Sequence, residues 1–187
     1  MRIIAGRHRG RPIRLAKGGG IRPTSDRARE AAFNILIHGL DWVGFDATAA
    51  LDVFAGTGAY GLEALSRGCA SATFIDSDPD ALIGIRRNAA ALGETRAIAL
   101  LKLDASRLPP PPRTAGTPCA LAFLDPPYQS GLAVPALQSL ASRGWIGAGA
   151  VCLVEVAARE PLAPPPGYAV IDERTYGAGR VVFLRYG

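Results

Sequence analysis

The chain has 187 residues, 49% of them apolar, with a formal net charge of +5, enough to bury one good core and little more, so one main domain is expected. No run approaches the ~20 apolar residues of a membrane helix, and the arginine-rich start is not followed by the apolar segment of a secretory signal. His8, His38, Cys69, Cys119 and Cys152 have no metal-ligand or disulfide spacing, which argues against a metalloenzyme and a secreted disulfide scaffold and fits a reducing, cytoplasmic setting; a monomer is expected. Two of the cysteines lie inside apolar runs, where a small buried residue suffices.

Charge is unevenly placed along the chain. Residues 1 to 30 carry nine Lys/Arg (Arg2, Arg7, Arg9, Arg11, Arg14, Lys17, Arg22, Arg27, Arg29) against Asp26 and Glu30, a local balance of +7 that leaves −2 for the remainder. Arginine at that density, interleaved with Gly6, Gly10 and Gly18 to Gly20, suits phosphate contacts that give affinity without reading sequence. The bland alternative is a solvated basic face.

Residues 2 to 5 and 12 to 15 alternate apolar and basic positions, which predicts a small hairpin around a Gly6 to Arg11 turn, a lobe outside the main sheet. After Arg22-Pro23, either Thr24 or Ser25 is a good N-cap. Asp26 and Glu30 fall in the first turn, and Ala32, Phe33, Leu36 and Ile37 repeat at helical spacing until Gly39.

Residues 50 to 61 join a short apolar run to Gly56-x-Gly58-x-x-Gly61, and Leu62, Leu65 and Ser66 continue at helical spacing. Such glycines permit positive φ and let a ligand approach backbone amides at a helix start. A second strand, Ala72 to Ile75, ends on Asp76, twenty positions past Gly56 and placed to bind a ribose diol. This context points to a nucleoside-bearing cofactor. Asp52, two residues before Phe54, either faces the cationic part of that cofactor or is a structural acid bonded to backbone. A third run, Ala97 to Leu103, ends on Asp104-Ala105, a contact for an adenine amino group or else a cap or turn. Helices are expected at 59 to 67, 79 to 92 and 131 to 142, the second entered through Asp78-Pro79 and ended at Gly93. Leu108-Pro109-Pro110-Pro111-Pro112-Arg113 reads as an exposed connector.

The apolar run 122 to 124 delivers Asp125-Pro126-Pro127-Tyr128. Proline fixes its own φ near −65° and pushes its predecessor away from helix, so this is a stiff, extended turn at a strand end. An aromatic amine delocalises its lone pair into the ring and attacks a methyl group poorly until two acceptors hold its N–H bonds. The Asp125 carboxylate and the Pro126 carbonyl suit that task, by positioning rather than strong base catalysis, with Tyr128 stacking on the base. The bland alternative is a proline-rich surface turn. The glycine fingerprint would serve a nicotinamide cofactor equally well, but hydride transfer has no evident use for an amine clamp, so S-adenosylmethionine is the expected cofactor.

Residues 149 to 157 form another apolar run, with Glu155 inside it, before a Pro-rich loop at 161 to 166. Strands at 168 to 174 and 180 to 186, separated by Tyr176-Gly177-Ala178-Gly179, read as a hairpin that places an antiparallel strand at the end of a parallel sheet. The expected fold is therefore α/β: a Rossmann-like class I methyltransferase with a mostly parallel seven-stranded sheet, a C-terminal antiparallel hairpin, and a small N-terminal hairpin/helix extension. Residues 1–40 are assigned to the basic extension and 41–187 to the methyltransferase domain. Ligands of open α/β sheets bind beyond the carboxyl ends of the strands, where Phe54, Asp76, Asp104 and Asp125 all fall.

The chain resembles the RsmD family of bacterial guanine-N2 methyltransferases of 16S rRNA, over nearly its whole length. The resemblance is carried by Arg2-Ile3-Ile4-Ala5-Gly6, by Arg22-Pro23-Thr24-Ser25-Asp26-Arg27 with Arg29-Glu30 and Phe33-Asn34-Ile35-Leu36, by Leu51-Asp52-Val53-Phe54-Ala55-Gly56-Thr57-Gly58 with Gly61-Leu62-Glu63-Ala64, and by Asp125-Pro126-Pro127-Tyr128. The Arg-Pro-Thr helix entry is the diagnostic part, because the two nucleotide-site motifs are shared by many amino-methyltransferases. The resemblance implies a guanine of 16S rRNA as target, methylated on the small ribosomal subunit or its assembly intermediate. The candidate catalytic set is Asp125, Pro126, Pro127 and Tyr128. The cofactor set is Thr24, Asp52, Phe54, Ala55, Gly56, Gly58, Asp76, Ser77, Asp104, Ala105 and Asp125, and the RNA set is Arg7, Arg9, Arg11 and Arg22. Two positions depart from the family pattern: Asp76 stands where Glu is frequent, which leaves Asp76 against Asp78 open as the ribose ligand, and Tyr128 replaces Phe. The competing readings are a DNA methyltransferase acting on adenine N6 or cytosine N4, for whose usual recognition domain the chain has little room, and a non-catalytic RNA-binding protein with a vestigial cofactor site.

Overall fold

The computed structural model describes residues 1–14 and 26–187. Among these residues the elements run α1 (Asp26–His38), β1 (Ala49–Val53), α2 (Ala59–Ser66), β2 (Ser71–Asp76), α3 (Pro79–Leu92), β3 (Ile98–Lys102), β4 (Cys119–Leu124), α4 (Ala133–Ser142), β5 (Ile146–Ala157), β6 (Tyr168–Tyr176) and β7 (Gly179–Tyr186). They form one seven-stranded sheet of order β3-β2-β1-β4-β5-β7-β6. The β1–β2, β2–β3, β1–β4 and β4–β5 pairs are parallel, and β7 runs antiparallel to both β5 and β6. The expected α/β class, parallel core and antiparallel C-terminal hairpin are all present.

Strands β1, β2 and β4 are buried on both faces, as a helix-covered parallel sheet requires. Alternation with period two sorts their side chains. Ala50, Phe74, Leu121 and Phe123 pack on one side with residues of α1, α2 and α3, whereas Leu51, Val53, Ile75 and Leu124 pack on the other with Ala136, Leu137 and Leu140 of α4. Helix α3 starts and stops on local signals: Asp78 caps it by accepting from Asp80 N, Pro79 occupies the first turn, and Gly93 ends it at φ 79°. Helix α2 lies unusually close to the sheet. A Cβ on Gly61 would stand 2.4 Å from Phe74 Cε1 and 3.2 Å from Asp52 Cβ, so only glycine permits that approach.

The N-terminal hairpin is smaller than its sequence pattern suggests. It holds a single antiparallel bridge, Arg2 with Pro12, flanked by Ile3 N to Arg11 O (2.9 Å), Gly10 N to Ile3 O (2.8 Å) and Ile13 N to Met1 O (3.1 Å). Pro12 has no N–H to extend the ladder. The hairpin is held instead by α2. The Glu63 carboxylate accepts from Ile4 N (2.7 Å) and Ala5 N (3.0 Å), Ser66 O accepts from Arg7 N (2.8 Å), and Ser66 Oγ accepts from His8 N (3.0 Å). Gly6 makes the contact possible, with φ +81° and a would-be Cβ 1.9 Å from Ser66 O. Ile3 and Ile13 join the same apolar cluster as Phe33, Leu62 and Leu65.

Two further expectations need adjustment. Strand β5 begins at Ile146, three residues before the expected start at 149, because Gly147 and Gly149 disguise its first residues, which pair with β4 across a register shift between Cys119 and Leu121. The proline connector is exposed along most of its length, but Leu108 is buried and Pro109 O accepts from Trp145 Nε1 at 2.8 Å, so it is pinned at its base. All three cysteines are free and buried, and burial pushes the Cys119 and Cys152 thiols up to about 12. Among the described residues, no helix is long and apolar enough to cross a membrane, and no group of three or more His, Cys, Asp or Glu is arranged to hold a metal ion.

Candidate active site

A cavity of about 1080 Å³ opens at the carboxyl ends of β1, β2, β4 and β5, under the β6–β7 turn. Asp52, Phe54, Ala55, Gly56, Asp76, Ser77, Asp104, Ala105, Asp125, Pro126, Pro127 and Tyr128 all line it. Gly58 does not: its would-be Cβ faces Ile85 and Phe74 at 3.0 to 3.2 Å, so its φ of +76° serves the turn into α2 and its bare Cα serves packing. Thr24 and Arg22 fall outside the described residues.

The turn after β1 is bent by its backbone. Phe54 adopts φ +60° and Gly56 φ +52°, the first being a conformation that a bulky side chain rarely takes. Asp76 locks this turn to the next one. Its Oδ2 accepts from Gly56 N (2.8 Å) and its Oδ1 from Asp78 N (2.9 Å), while Asp78 Oδ1 is committed to capping α3 through Asp80 N (2.9 Å). Asp104 likewise organises its own turn, its Oδ1 accepting from Ser106 Oγ (2.7 Å) and Ser106 N (2.9 Å). Those bonds, the hydroxyl's first, hold its carboxyl below the usual range.

Asp52 is 2% exposed and accepts from Gly61 N at 2.8 Å. Burial drives its carboxyl well above the ordinary range; the Gly61 bond opposes this, nearby Asp125 and Asp76 add to it, and the Arg29 guanidinium opposes it more weakly. The side chain thus ties α2 to β1 and also borders the cavity.

Beyond β4, Asp125 N bonds to Val53 O (3.4 Å) and Ser130 N to Pro127 O (3.2 Å). Pro126 is buried, Pro127 exposed, and Asp125 and Tyr128 half-buried. Glu160 Oε2 accepts from Gln129 N at 2.9 Å, which fixes the far side of the turn, where Gln129 takes φ +58°.

Sequence reasoning leaves several lining residues without a role, notably Glu155, Tyr60, Thr57, Met1, Tyr176 and Gly179. Glu155 is 8% exposed and accepts from the hydroxyls of Tyr128 (2.9 Å) and Tyr60 (3.3 Å). Its signal is a lone acid in the apolar run of β5.

Of the RNA candidates, Arg7, Arg9 and Arg11 lie on the hairpin. Arg7 pairs with Glu94 at 2.7 Å, as does His8 at 2.5 Å, and Arg11 Nη2 donates to Ala91 O at 2.6 Å. Arg9 is exposed. Arg29, by contrast, is wholly buried, donating from Nη2 to Arg2 O (2.5 Å) and Asp26 Oδ1 (3.1 Å).

The residues present fit a nucleoside-bearing cofactor. Carboxylates stand at the ends of successive parallel strands, the backbone turns tightly at Gly56, and the cavity of about 1080 Å³ stands at the upper end of the ~300–1,000 Å³ typical of small-ligand sites. A model of the family described as Conserved hypothetical protein 95 matches residues 1–185. Ribosomal RNA small subunit methyltransferase D of Escherichia coli (strain K12) is 36% identical over 187 residues, which cover 100% of this chain and 89% of that protein. The Haemophilus influenzae protein of the same name is 32% identical over 182 residues, 95% of this chain and 89% of that one. The solved structure of yhhF from Escherichia coli superposes with a TM-score of 0.79 at 29% identity, covering 100% of this chain and 97% of that chain. With a whole-chain family match and relatives of this identity aligned almost end to end, the chain belongs to the family of the small-subunit ribosomal RNA methyltransferase D proteins.

Proposed function

We propose that the protein methylates the exocyclic N2 of a guanine in small-subunit ribosomal RNA, using S-adenosylmethionine. The observation that carries this reading is the placement of Asp125-Pro126-Pro127-Tyr128 on the wall of the same cavity as Asp76, Asp104 and the Gly56 turn. When bound, S-adenosylmethionine supplies an electrophilic methyl on a sulfonium centre. Asp76 and Asp104 are the acceptors for ribose hydroxyls and an adenine amine, and Asp52 presents its carboxyl toward the methionine part. The Asp125 carboxylate and Pro126 carbonyl accept the two N–H bonds of the target amine, hold the nitrogen out of conjugation and aim its lone pair at the methyl. Tyr128 stacks on the base, a contact of ~1–3 kcal/mol set against the few kcal/mol needed to extract a base from its stack. The relatives' names favour ribosomal RNA of the small subunit over DNA, and the hairpin arginines are the phosphate contacts.

Asp125→Ala tests the chemistry. Methyl transfer from labelled S-adenosylmethionine to small subunits should vanish, while calorimetry still shows the variant binding the cofactor. Near-normal transfer by that variant refutes the amine clamp. Label appearing on DNA but on neither free rRNA nor subunits refutes the substrate.

A further inference from the structure

Strand β5 carries one charged side chain, Glu155, and it stands at the cavity rather than at the surface. An ionised carboxylate that is 8% exposed is costly to keep unless hydrogen-bond donors reach it. Two tyrosine hydroxyls do so, one at each carboxylate oxygen. Tyr60 donates to Oε2 at 3.3 Å and is itself fixed in the core, its ring stacked on Phe123 with centroids 5.0 Å apart and planes at 19°. Tyr128 donates to Oε1 at 2.9 Å from the turn proposed to hold the target amine. The carboxylate therefore links a ring packed against the core to the ring on the turn after β4.

The roof is shaped around that link. Gly179 opens β7, and a Cβ there would lie 2.6 Å from Tyr128 Oη and 3.3 Å from Glu155 Oε1. A tyrosine ring is rigid, so a methyl group at this point displaces the whole side chain rather than its tip. The backbone of Glu155 is in turn set by its pairing with Val181 in the antiparallel ladder.

We propose that Glu155 is a positioning residue: through the Tyr128 hydroxyl it fixes where that ring stands over the cavity, and so the position in which a stacked base presents its amine to Asp125 and Pro126. This rests on the amine-methylation reading. A phenylalanine at 128 offers the same stacking face with no tether, so the hydroxyl is what couples Glu155 to that ring.

The test uses the full chain with Glu155→Ala, the near-isosteric Glu155→Gln, Tyr128→Phe, and the Glu155→Ala/Tyr128→Phe double variant. Ring-labelled tyrosine NMR of the protein without RNA reads the tether directly. The Tyr128 signals should shift and show greater side-chain displacement in Glu155→Ala, with partial recovery in Glu155→Gln, which keeps an acceptor. Unchanged Tyr128 signals in a folded Glu155→Ala protein overturn the proposal. In methyl transfer to small subunits, Glu155→Ala and Tyr128→Phe should each lower kcat by about tenfold or more, with KM for RNA changed less, and the double variant should lose no more than the worse single one. Losses that multiply in the double variant overturn the proposal, as does wild-type kcat for Tyr128→Phe. Wild-type protein that transfers no methyl to RNA sinks the activity reading instead, and the NMR arm then decides the tether alone.

Discussion

Asp52 shows how one residue can serve the fold and border a site. Its carboxyl closes the gap between β1 and α2 by accepting from Gly61 N, on the same face where Gly61 permits the helix to approach Phe74. Burial raises its folded pKa well above the ordinary carboxylate range, so the native state binds that proton more readily than the unfolded chain does. By linkage, the stability this group contributes is complete below the unfolded pKa, declines as pH rises above it, and is lost by the folded pKa. Asn at 52 retains an oxygen for Gly61 N and has no proton to lose. Urea unfolding of Asp52→Asn should therefore match the parent near the ordinary aspartate pKa of about 4 and become the more stable of the two as pH rises to neutrality. A difference between the two proteins that does not change with pH contradicts the assignment.

Elements here are joined by a few polar clasps as much as by apolar packing. Asn88, 3% exposed in α3, accepts from Arg14 N (3.0 Å) and donates to Arg14 O (3.0 Å) and Thr57 O (3.2 Å). One amide thus acts as a strand partner for the hairpin's exit and touches the loop that lines the cavity. Asn88→Ala leaves those groups without their partner and should cost about 1–3 kcal/mol, with faster amide exchange at Arg14; unaltered exchange there would show that the clasp is idle. Such clasps explain what the sequence can and cannot reveal. The bounds of α3 are legible as Asp78-Pro79 and Gly93 because caps are local chemistry, and Asp76, Asp104 and Asp125 are legible because each ends an apolar run. Gly58 misleads, because a glycine pattern looks alike whether it admits a cofactor or a phenylalanine. Glu63, Ser66 and Asn88 read only as helical positions, since their partners on the hairpin lie 58 or more residues away. Glu155 and Gly179 acquire meaning only in the β5–β7 register, which no local signal encodes.

At the scale of the whole molecule, the positive charge of the first 30 residues is less available than its count implies. Arg29 is interior, Arg2 lies 3.9 Å from Asp26, and Arg7 is paired with Glu94. Arg9, Arg11 and Arg14 remain exposed on the hairpin, and Arg86 and Arg87 are exposed on α3. Arg11 also holds Ala91 O near the end of α3, where a cation complements the helix dipole. The hairpin is therefore a rigid basic platform bound to α2 and α3 rather than a loose arm. For a single-stranded RNA, removing one arginine–phosphate pair should reduce the slope of log affinity against log salt by about 0.7. Replacing Arg7, Arg9 and Arg11 together with Ala should weaken binding to an rRNA fragment and flatten the slope by the equivalent of about two such pairs rather than three, because Glu94 already neutralises part of Arg7. Fluorescence anisotropy over roughly 50 to 200 mM salt measures this. Glu94→Gln supplies the opposite sign: freeing Arg7 should tighten binding and steepen the slope. If neither variant alters it, the hairpin lies outside the RNA interface and its arginines serve the fold alone.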